Sequence, residues 1–241
     1  MANWYEEWFD KDYAVLYSHR DAEEARVAVS RALRVAPELA SGPVLDLACG
    51  AGRHLEILRR ANPHAFGMDL SRTLLSMAPG GLRPWLLRAD MRCLPIKRGT
   101  LRGICLWFTP FGYLSDAENR ALMLSLGALL EMGGVLVMDY LNADLLTRTL
   151  VPEDTRERGG IRAQSRRAIE GNRLVKRMVL THLDTGVVRD VLESIQLYHP
   201  TDLQAMALRA GLRLRRVMGT YSGEAFTENS PRWIGIFEKV R

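Results

Sequence analysis

The sequence is short of cysteine. Its three, Cys49, Cys93 and Cys105, are odd in number and lack C-x-x-C spacing, which excludes a disulfide-stapled scaffold, argues against a zinc site and favours a reducing compartment. The five histidines are scattered and form no metal-ligand pattern. Lysine is scarce too, with four against 29 arginines, a compositional bias that strips arginine richness of functional meaning by itself. No apolar run approaches the roughly 20 residues of a membrane span. Met1 to Asp10 has neither a basic nor an apolar region of the kind a secretory signal needs, so a cytoplasmic protein is expected. What is present, 47% hydrophobic and 25% charged positions in 241 residues, excludes disorder and suits one large domain or a domain with an appended piece.

The chain alternates short apolar runs with amphipathic ones. Asp21 caps a predicted helix over 22–33, with acids in its first turn. Pro43 to Ala48 is a continuous apolar run bounded by glycines, as in a strand buried on both faces. Helices are predicted from Arg53, from the Ser71 cap and from Ser115 to Glu131, and strands over 64–69, 85–89, 103–108 and 134–140. This alternation predicts an α/β fold, a doubly wound, mostly parallel Rossmann-like sheet of seven strands once the C-terminal strands 212–219 and 233–240 are included. Beyond residue 150 the rhythm changes. Three strand-like runs, 161–170, 173–184 and 187–198, are joined by Gly171-Asn172 and Thr185-Gly186, which predicts an inserted antiparallel three-stranded cap. A helix starting at Pro200 follows. The expected organisation is an N-terminal covering segment and helix (1–37), a ligand-binding core (38–150), the insertion over the substrate site (151–199) and a last helix with strands completing the core sheet (200–241).

The chemistry is concentrated in Val44-Leu45-Asp46-Leu47-Ala48-Cys49-Gly50-Ala51-Gly52-Arg53-His54, a strand running through small residues into a helix, where backbone can approach a ligand closely. A P-loop needs Gly-Lys-Ser/Thr, which is missing. A dinucleotide fingerprint needs a small residue where Arg53 stands.

The segment resembles motif I of the class I S-adenosylmethionine-dependent methyltransferases, with Ala48 replacing the first glycine. The resemblance continues in order over residues 40–140. Asp69 ends the next strand, where the family's acid takes both ribose hydroxyls, and Leu70 follows it; a carboxylate accepts two hydrogen bonds at once. Asp90 ends the third strand, where the family's acid accepts from the adenine amino group and the backbone N–H of Met91 meets a ring nitrogen. Leu130-Glu131-Met132-Gly133-Gly134 is similar to the family's Leu-x-Pro-Gly-Gly. The resemblance implies S-adenosyl-L-methionine as cofactor, S-adenosyl-L-homocysteine as product, and Asp46, Ala48, Gly50, Gly52, Asp69, Leu70, Asp90, Met91, Leu106 and Trp107 as cofactor-binding residues. Trp107 to Leu114 resembles the Phe-Ser-Ser-x-Gly-Tyr segment of amino-sugar N,N-dimethyltransferases, with Pro110 in place of serine. Tyr13 to Arg20 resembles their Tyr-x3-Tyr-x2-Arg segment, which implies that Tyr17 and Arg20 contact the methionine end.

The function this implies is in-line transfer of a methyl group to a small-molecule acceptor at N or O. If the acceptor is an amine it must be neutral to attack, and Tyr113, His199 and His182 are candidates to take its proton. Glu224 and Arg232 are placed at a pocket mouth or paired with each other. The alternative is RNA methylation, suggested by Arg156, Arg158, Arg162, Arg166, Arg167, Arg173, Lys176 and Arg177. Residues 150–190 contain no Phe, Tyr or Trp for base stacking. A protein that binds the cofactor without methylating, or an aminopropyl transferase, is a third reading. The net charge of +5 divides unevenly. Residues 1–150 carry 17 basic and 17 acidic side chains and residues 151–241 carry 16 and 11, so any role for the charge concerns an acceptor, such as an anionic small molecule, or the outer face of the insertion.

Overall fold

The computed structural model describes residues 3–19 and 22–241. Two short helices open the chain, α1 (Trp4–Trp8) and α2 (Lys11–Leu16). Asp10 starts α2 by accepting from the Asp12 and Tyr13 N–H groups, a capping signal hidden in the sequence among aromatics. Helix α3 (Ala22–Val35) buries a stripe of Ala25, Ala28, Val29 and Ala32; its expected cap, Asp21, lies outside the described residues. The alternating core follows as β1 (Val44–Leu47), α4 (Arg53–Ala61), β2 (Ala65–Asp69), α5 (Arg72–Met77), β3 (Leu86–Arg88), β4 (Leu101–Leu106), α6 (Asp116–Leu129) and β5 (Leu130–Leu141). After α7 (Ala143–Thr149) come β6 (Glu153–Arg158), β7 (Ile161–Glu170), β8 (Arg173–His182) and β9 (Val188–Gln196), then α8 (Pro200–Arg209), β10 (Leu212–Met218) and β11 (Arg232–Lys239).

Seven strands form one sheet in the order β10-β11-β5-β4-β1-β2-β3. The pairs from β5 to β3 are parallel, and β11 runs antiparallel to both neighbours. One face buries Leu45, Leu47, Met68 and Ile104 against Leu122 and Met123 of α6 and Leu203 and Met206 of α8. The opposite face buries Val44, Cys105, Val135 and Val137 against Val29 of α3 and Leu55 and Leu58 of α4. The chain winds outward from β1 through β2 on one side and from β4 through β5 on the other. The strand order therefore reverses between β1 and β4, which opens a crevice at their carboxyl ends.

The strands of the insertion form a separate antiparallel sheet, β6-β7-β8-β9, of four strands where the sequence predicts three. The additional strand β6 reads Glu-Asp-Thr-Arg-Glu-Arg and is exposed along most of its length, so it carries no apolar alternation to betray it. The turn glycines Gly171 and Gly186 both take positive φ, +58° and +72°, as tight hairpin turns demand. Strand β5 starts at Leu130, directly after α6 and ahead of the expected start at Gly134. The register with β4 shifts between Leu101 and Gly103, absorbing the extra residues as a bulge around Gly133 (φ +75°). Among the described residues, no helix is long and apolar enough to cross a membrane.

Candidate active site

A cavity of about 270 Å³ sits at that crevice. Its floor is the turn after β1. Ala48 takes φ +59°, Gly50 +56° and Gly52 +83°, so the backbone folds back on itself before α4 begins. A Cβ on Gly52 would meet Leu82 Cδ1 at 2.9 Å, and Gly52 is also the residue that starts α4. Gly67 of β2 performs a related service, because a Cβ there would stand 2.6 Å from Cys49 Sγ. The loop can lie flat only because that strand position has no side chain.

Three carboxylates stand at or near the carboxyl ends of three adjacent strands, Asp46 within β1, Asp69 at the end of β2 and Asp90 just beyond β3. Asp46 is buried, and its Oδ2 has no hydrogen-bond partner. Burial, with the Asp69 charge adding to it, pushes its carboxyl up to about 8. Asp69 accepts the Gly50 N–H at 2.7 Å through Oδ2 and the Ser71 N–H at 2.8 Å through Oδ1. Burial raises its carboxyl, and backbone donors at Ser71, Gly50 and Leu70 oppose the rise. Asp90 is held well differently: Arg92 donates to its Oδ2 at 2.9 and 2.6 Å, and that hydrogen-bonded guanidinium keeps its carboxyl below the usual range.

The inner wall adds His54, stacked on Trp107 with ring centroids 5.0 Å apart. His54 Nε2 and Trp107 Nε1 are buried without a partner. Burial, reinforced by the Arg53 charge, holds the imidazole well below its ordinary pKa, so it is neutral. Buried polar atoms are almost always paired. Here three residues that carry unpaired ones, Asp46, His54 and Trp107, line one cavity. Such a concentration of unpaired polar groups at one cavity suits a ligand with a cationic head and hydrogen-bonding groups.

The outer wall is aromatic. Tyr5, Phe9, Tyr13 and Tyr17 from the N-terminal segment face Phe108, Pro110 and Tyr113 from the loop after β4. Tyr113 packs against Phe9 at 5.5 Å and Trp4 at 5.0 Å. This cover is pinned to the antiparallel sheet. Trp8 is buried on Ile161, Met178 and Leu180, and its Nε1 donates to Glu193 at 2.5 Å. Lys176 Nζ donates to the Tyr17 hydroxyl at 2.8 Å, and Arg189 pairs with Asp10 and Asp12.

The residues expected at the cofactor therefore distribute as follows. Tyr17, Asp46, Ala48, Gly50, Asp69, Leu70, Asp90, Met91 and Trp107 line the cavity, as does Tyr113. Gly52 and the fully buried Leu106 support its floor from behind, and Arg20 lies outside the described residues. His182 and His199 are elsewhere. His182 sits on the antiparallel sheet 3.3 Å from Asp12, and His199 stands at the start of α8, largely exposed and 2.6 Å from Asp144. Arg232 does not pair with Glu224. Its position at the start of β11, beside the end of β5, directs it to Asp139 at 2.7 Å. His54, Phe9 and Phe108 are cavity residues to which the sequence assigned no role. The visible signal for His54 was its place one residue after the Gly52-Arg53 step.

Residues 44–134 match the family model described as a methyltransferase domain. The chain is 30% identical over 203 residues, 81% of its length and 84% of the relative's, to a dTDP-3-amino-3,4,6-trideoxy-alpha-D-glucopyranose N,N-dimethyltransferase of Streptomyces venezuelae. The chain belongs to the S-adenosylmethionine-dependent methyltransferases. The methyltransferase fold extends over nearly the whole chain. A crystal structure of an S-adenosylmethionine-dependent methyltransferase from Clostridium acetobutylicum is similar with a TM-score of 0.80 at 18% identity, covering 95% of this chain and 96% of that one. A sugar N-methyltransferase from a Streptoalloteichus species gives 0.72 at 21% identity, covering 94% and 92%. As a methyltransferase of this family, the protein uses S-adenosylmethionine, and the polar cavity just described is suited to hold it.

Proposed function

We propose that this methyltransferase acts on the amino group of a small acceptor, and that a nucleotide-linked amino sugar is its substrate class. The observation that carries the reading is the aromatic outer wall. It faces the glycine loop across a cavity of ligand size, so an acceptor held in the cavity meets the reacting centre with Phe9, Tyr17 and Tyr113 at its back. The S. venezuelae relative, by its name a sugar N,N-dimethyltransferase, supports the same class.

In this reading the ribose hydroxyls are taken by Asp69, and Asp90 with the Met91 N–H meets the adenine. Asp46, unpaired and buried, faces the cationic amino-acid end together with Tyr17. The cofactor supplies a methyl group already activated by a sulfonium centre, which leaves the protein the tasks of alignment and water exclusion. The rings of Phe9, Tyr13, Tyr17 and Tyr113 dry the wall, and the Tyr113 hydroxyl accepts a hydrogen bond from the incoming amine and orients its lone pair. His182 and His199 have no part in it, because both are engaged with carboxylates away from the cavity.

The basic insertion does not support an RNA reading. Arg156 and Arg167 pair with Asp154, Arg162 with Glu157, Arg166 with Glu153, Lys176 with Glu193 and Arg177 with Glu170. Arg173 is spent on the carbonyls of Tyr113 and Leu114. The test is to incubate the protein with S-adenosylmethionine and a panel of dTDP-amino sugars or a short RNA and follow methyl incorporation by mass spectrometry. Methylated amino sugar and unmodified RNA are expected; methylated RNA with unmodified sugars overturns the reading.

A further inference from the structure

The loop that builds the acceptor-facing wall begins with a conformation that its residues disfavour. Phe108 and Thr109 are consecutive non-glycine residues with φ of +68° and +64°, a left-handed turn in which the Cβ of an L-residue crowds the following carbonyl oxygen. Such strain persists only where the surroundings over-determine it. Here the surroundings are one buried carboxylate. Asp139, fully buried at the end of β5, accepts the Phe108 N–H at 2.6 Å and the Tyr221 hydroxyl at 2.5 Å through Oδ2, and the Arg232 Nε at 2.7 Å through Oδ1. Its backbone carbonyl accepts the Thr109 N–H at 3.1 Å. Arg232 completes the ring by donating to Thr109 Oγ1 at 2.7 Å, and its guanidinium lies over the Phe108 ring at 5.2 Å. Burial works against the Arg232 charge, but Asp139 beside it more than offsets that.

The three residues come from three separate places, the end of β5, the loop after β10 and the start of β11. None of them lines the cavity. What they touch is the two residues from which the wall Phe108, Pro110 and Tyr113 departs. The far end of that wall is tied independently, by Asn119, which accepts the Gly112 N–H and donates to the Leu114 carbonyl, and by Arg173. The wall is thus stretched between two anchors, of which the Asp139 cluster alone holds strained backbone.

We propose that Asp139, Arg232 and Tyr221 are positioning residues for methyl transfer: they clamp the left-handed Phe108–Thr109 turn and so set where the Phe108–Tyr113 wall holds the acceptor. The proposal rests on the acceptor entering against that wall. Released from the clamp, the turn relaxes toward right-handed φ and carries Tyr113 with it. A displacement of about 1 Å at a reacting centre costs about a hundredfold in rate, whereas the cofactor contacts on β1, β2 and β3 stay where they are.

The test uses Asp139→Asn and the milder Tyr221→Phe, with three readouts: S-adenosylhomocysteine affinity by calorimetry, kcat and KM on the amine acceptor, and hydrogen exchange of the Phe108 and Thr109 amides. Expected are exchange faster by about tenfold or more at those two amides, and a fall in kcat of about tenfold or more in Asp139→Asn and less in Tyr221→Phe. Cofactor affinity should stay within about threefold. Unchanged exchange and kcat overturn the proposal. So does a loss that falls equally on cofactor affinity and thermal stability, which marks a merely structural cluster. If the wild-type protein methylated no amine, the acceptor reading would fall. Faster exchange in the variants would still support the clamp, and unchanged exchange would still overturn it.

Discussion

Asp46 carries a marked electrostatic conflict in the cavity: a buried residue with an unpaired carboxyl oxygen and a second carboxylate, Asp69, whose charge raises its pKa further. Its pKa of about 8 lies above the usual carboxylate value, so the folded protein binds more protons than the unfolded chain between those two values. Stability then falls as pH rises through that window and levels off above it. Thermal melts of the ligand-free protein should show a Tm that declines from pH 7 to pH 8, above the range in which the neutral, buried His54 contributes the opposite slope; a Tm rising from pH 7 to pH 8 contradicts the assignment. A cationic ligand beside Asp46 reverses the preference, so binding at pH 7 should release protons, measurable by calorimetry in buffers of different ionisation enthalpy. The loop residues make a second prediction. Ala48 already tolerates φ +59°, so Ala48→Gly should leave cofactor affinity nearly unchanged. Gly52→Ala meets both a left-handed φ of +83° and Leu82 Cδ1 at 2.9 Å and should cost about 1–3 kcal/mol of stability in denaturant titrations.

At the scale of elements, the cover is joined more firmly to the antiparallel sheet than to the core it closes. Trp8, Asp10, Asp12 and Tyr17 reach Glu193, Arg189, His182 and Lys176, while the bonds from α1 and its flanks to the core are few, such as Ser71 Oγ to the Phe9 carbonyl at 2.5 Å. Glu193→Gln keeps an acceptor for Trp8 but removes the charge that faces half-buried Lys176. It should speed limited proteolysis within residues 1–20 severalfold in the ligand-free protein; an unchanged cleavage rate contradicts the coupling. Elements of this kind explain what was readable in advance. The strands of the core were legible because burial on both faces writes an unbroken apolar run, as in Val44 to Leu47. Asp46, Asp69 and Asp90 stood out because each interrupts or ends such a run. The strand β6 and the helix α2 were not legible, since one is charged on both faces and the other is six residues long with its apolar positions spent on a ligand cavity. Asp139 was visible at the end of Val135-Leu136-Val137-Met138, but its partners Tyr221 and Arg232 lie over 80 residues away and only the fold brings them together.

For the whole molecule, the basic residues beyond 150 are largely engaged within the fold. Some pair with acids on neighbouring strands, as Arg166 with Glu153 and Arg177 with Glu170, and others with acids of the first 150 residues, as Arg189 with Asp10 and Arg215 with Glu38. Exposed pairs of this sort contribute little stability and leave no continuous track for a phosphate backbone. The molecule is a doubly wound core that presents three carboxylates near strand ends to one cavity lined on its outer side by aromatic rings; in the proposed reading that cover limits the acceptor to a small molecule. The measurement that tests this most directly is calorimetric titration of S-adenosylmethionine into the wild-type protein and into Asp69→Ala. Saturable binding to one site, weakened about 10- to 100-fold by the substitution as expected for lost charged hydrogen bonds, is the predicted result. Binding that is absent from the wild type, or indifferent to the loss of Asp69, contradicts it.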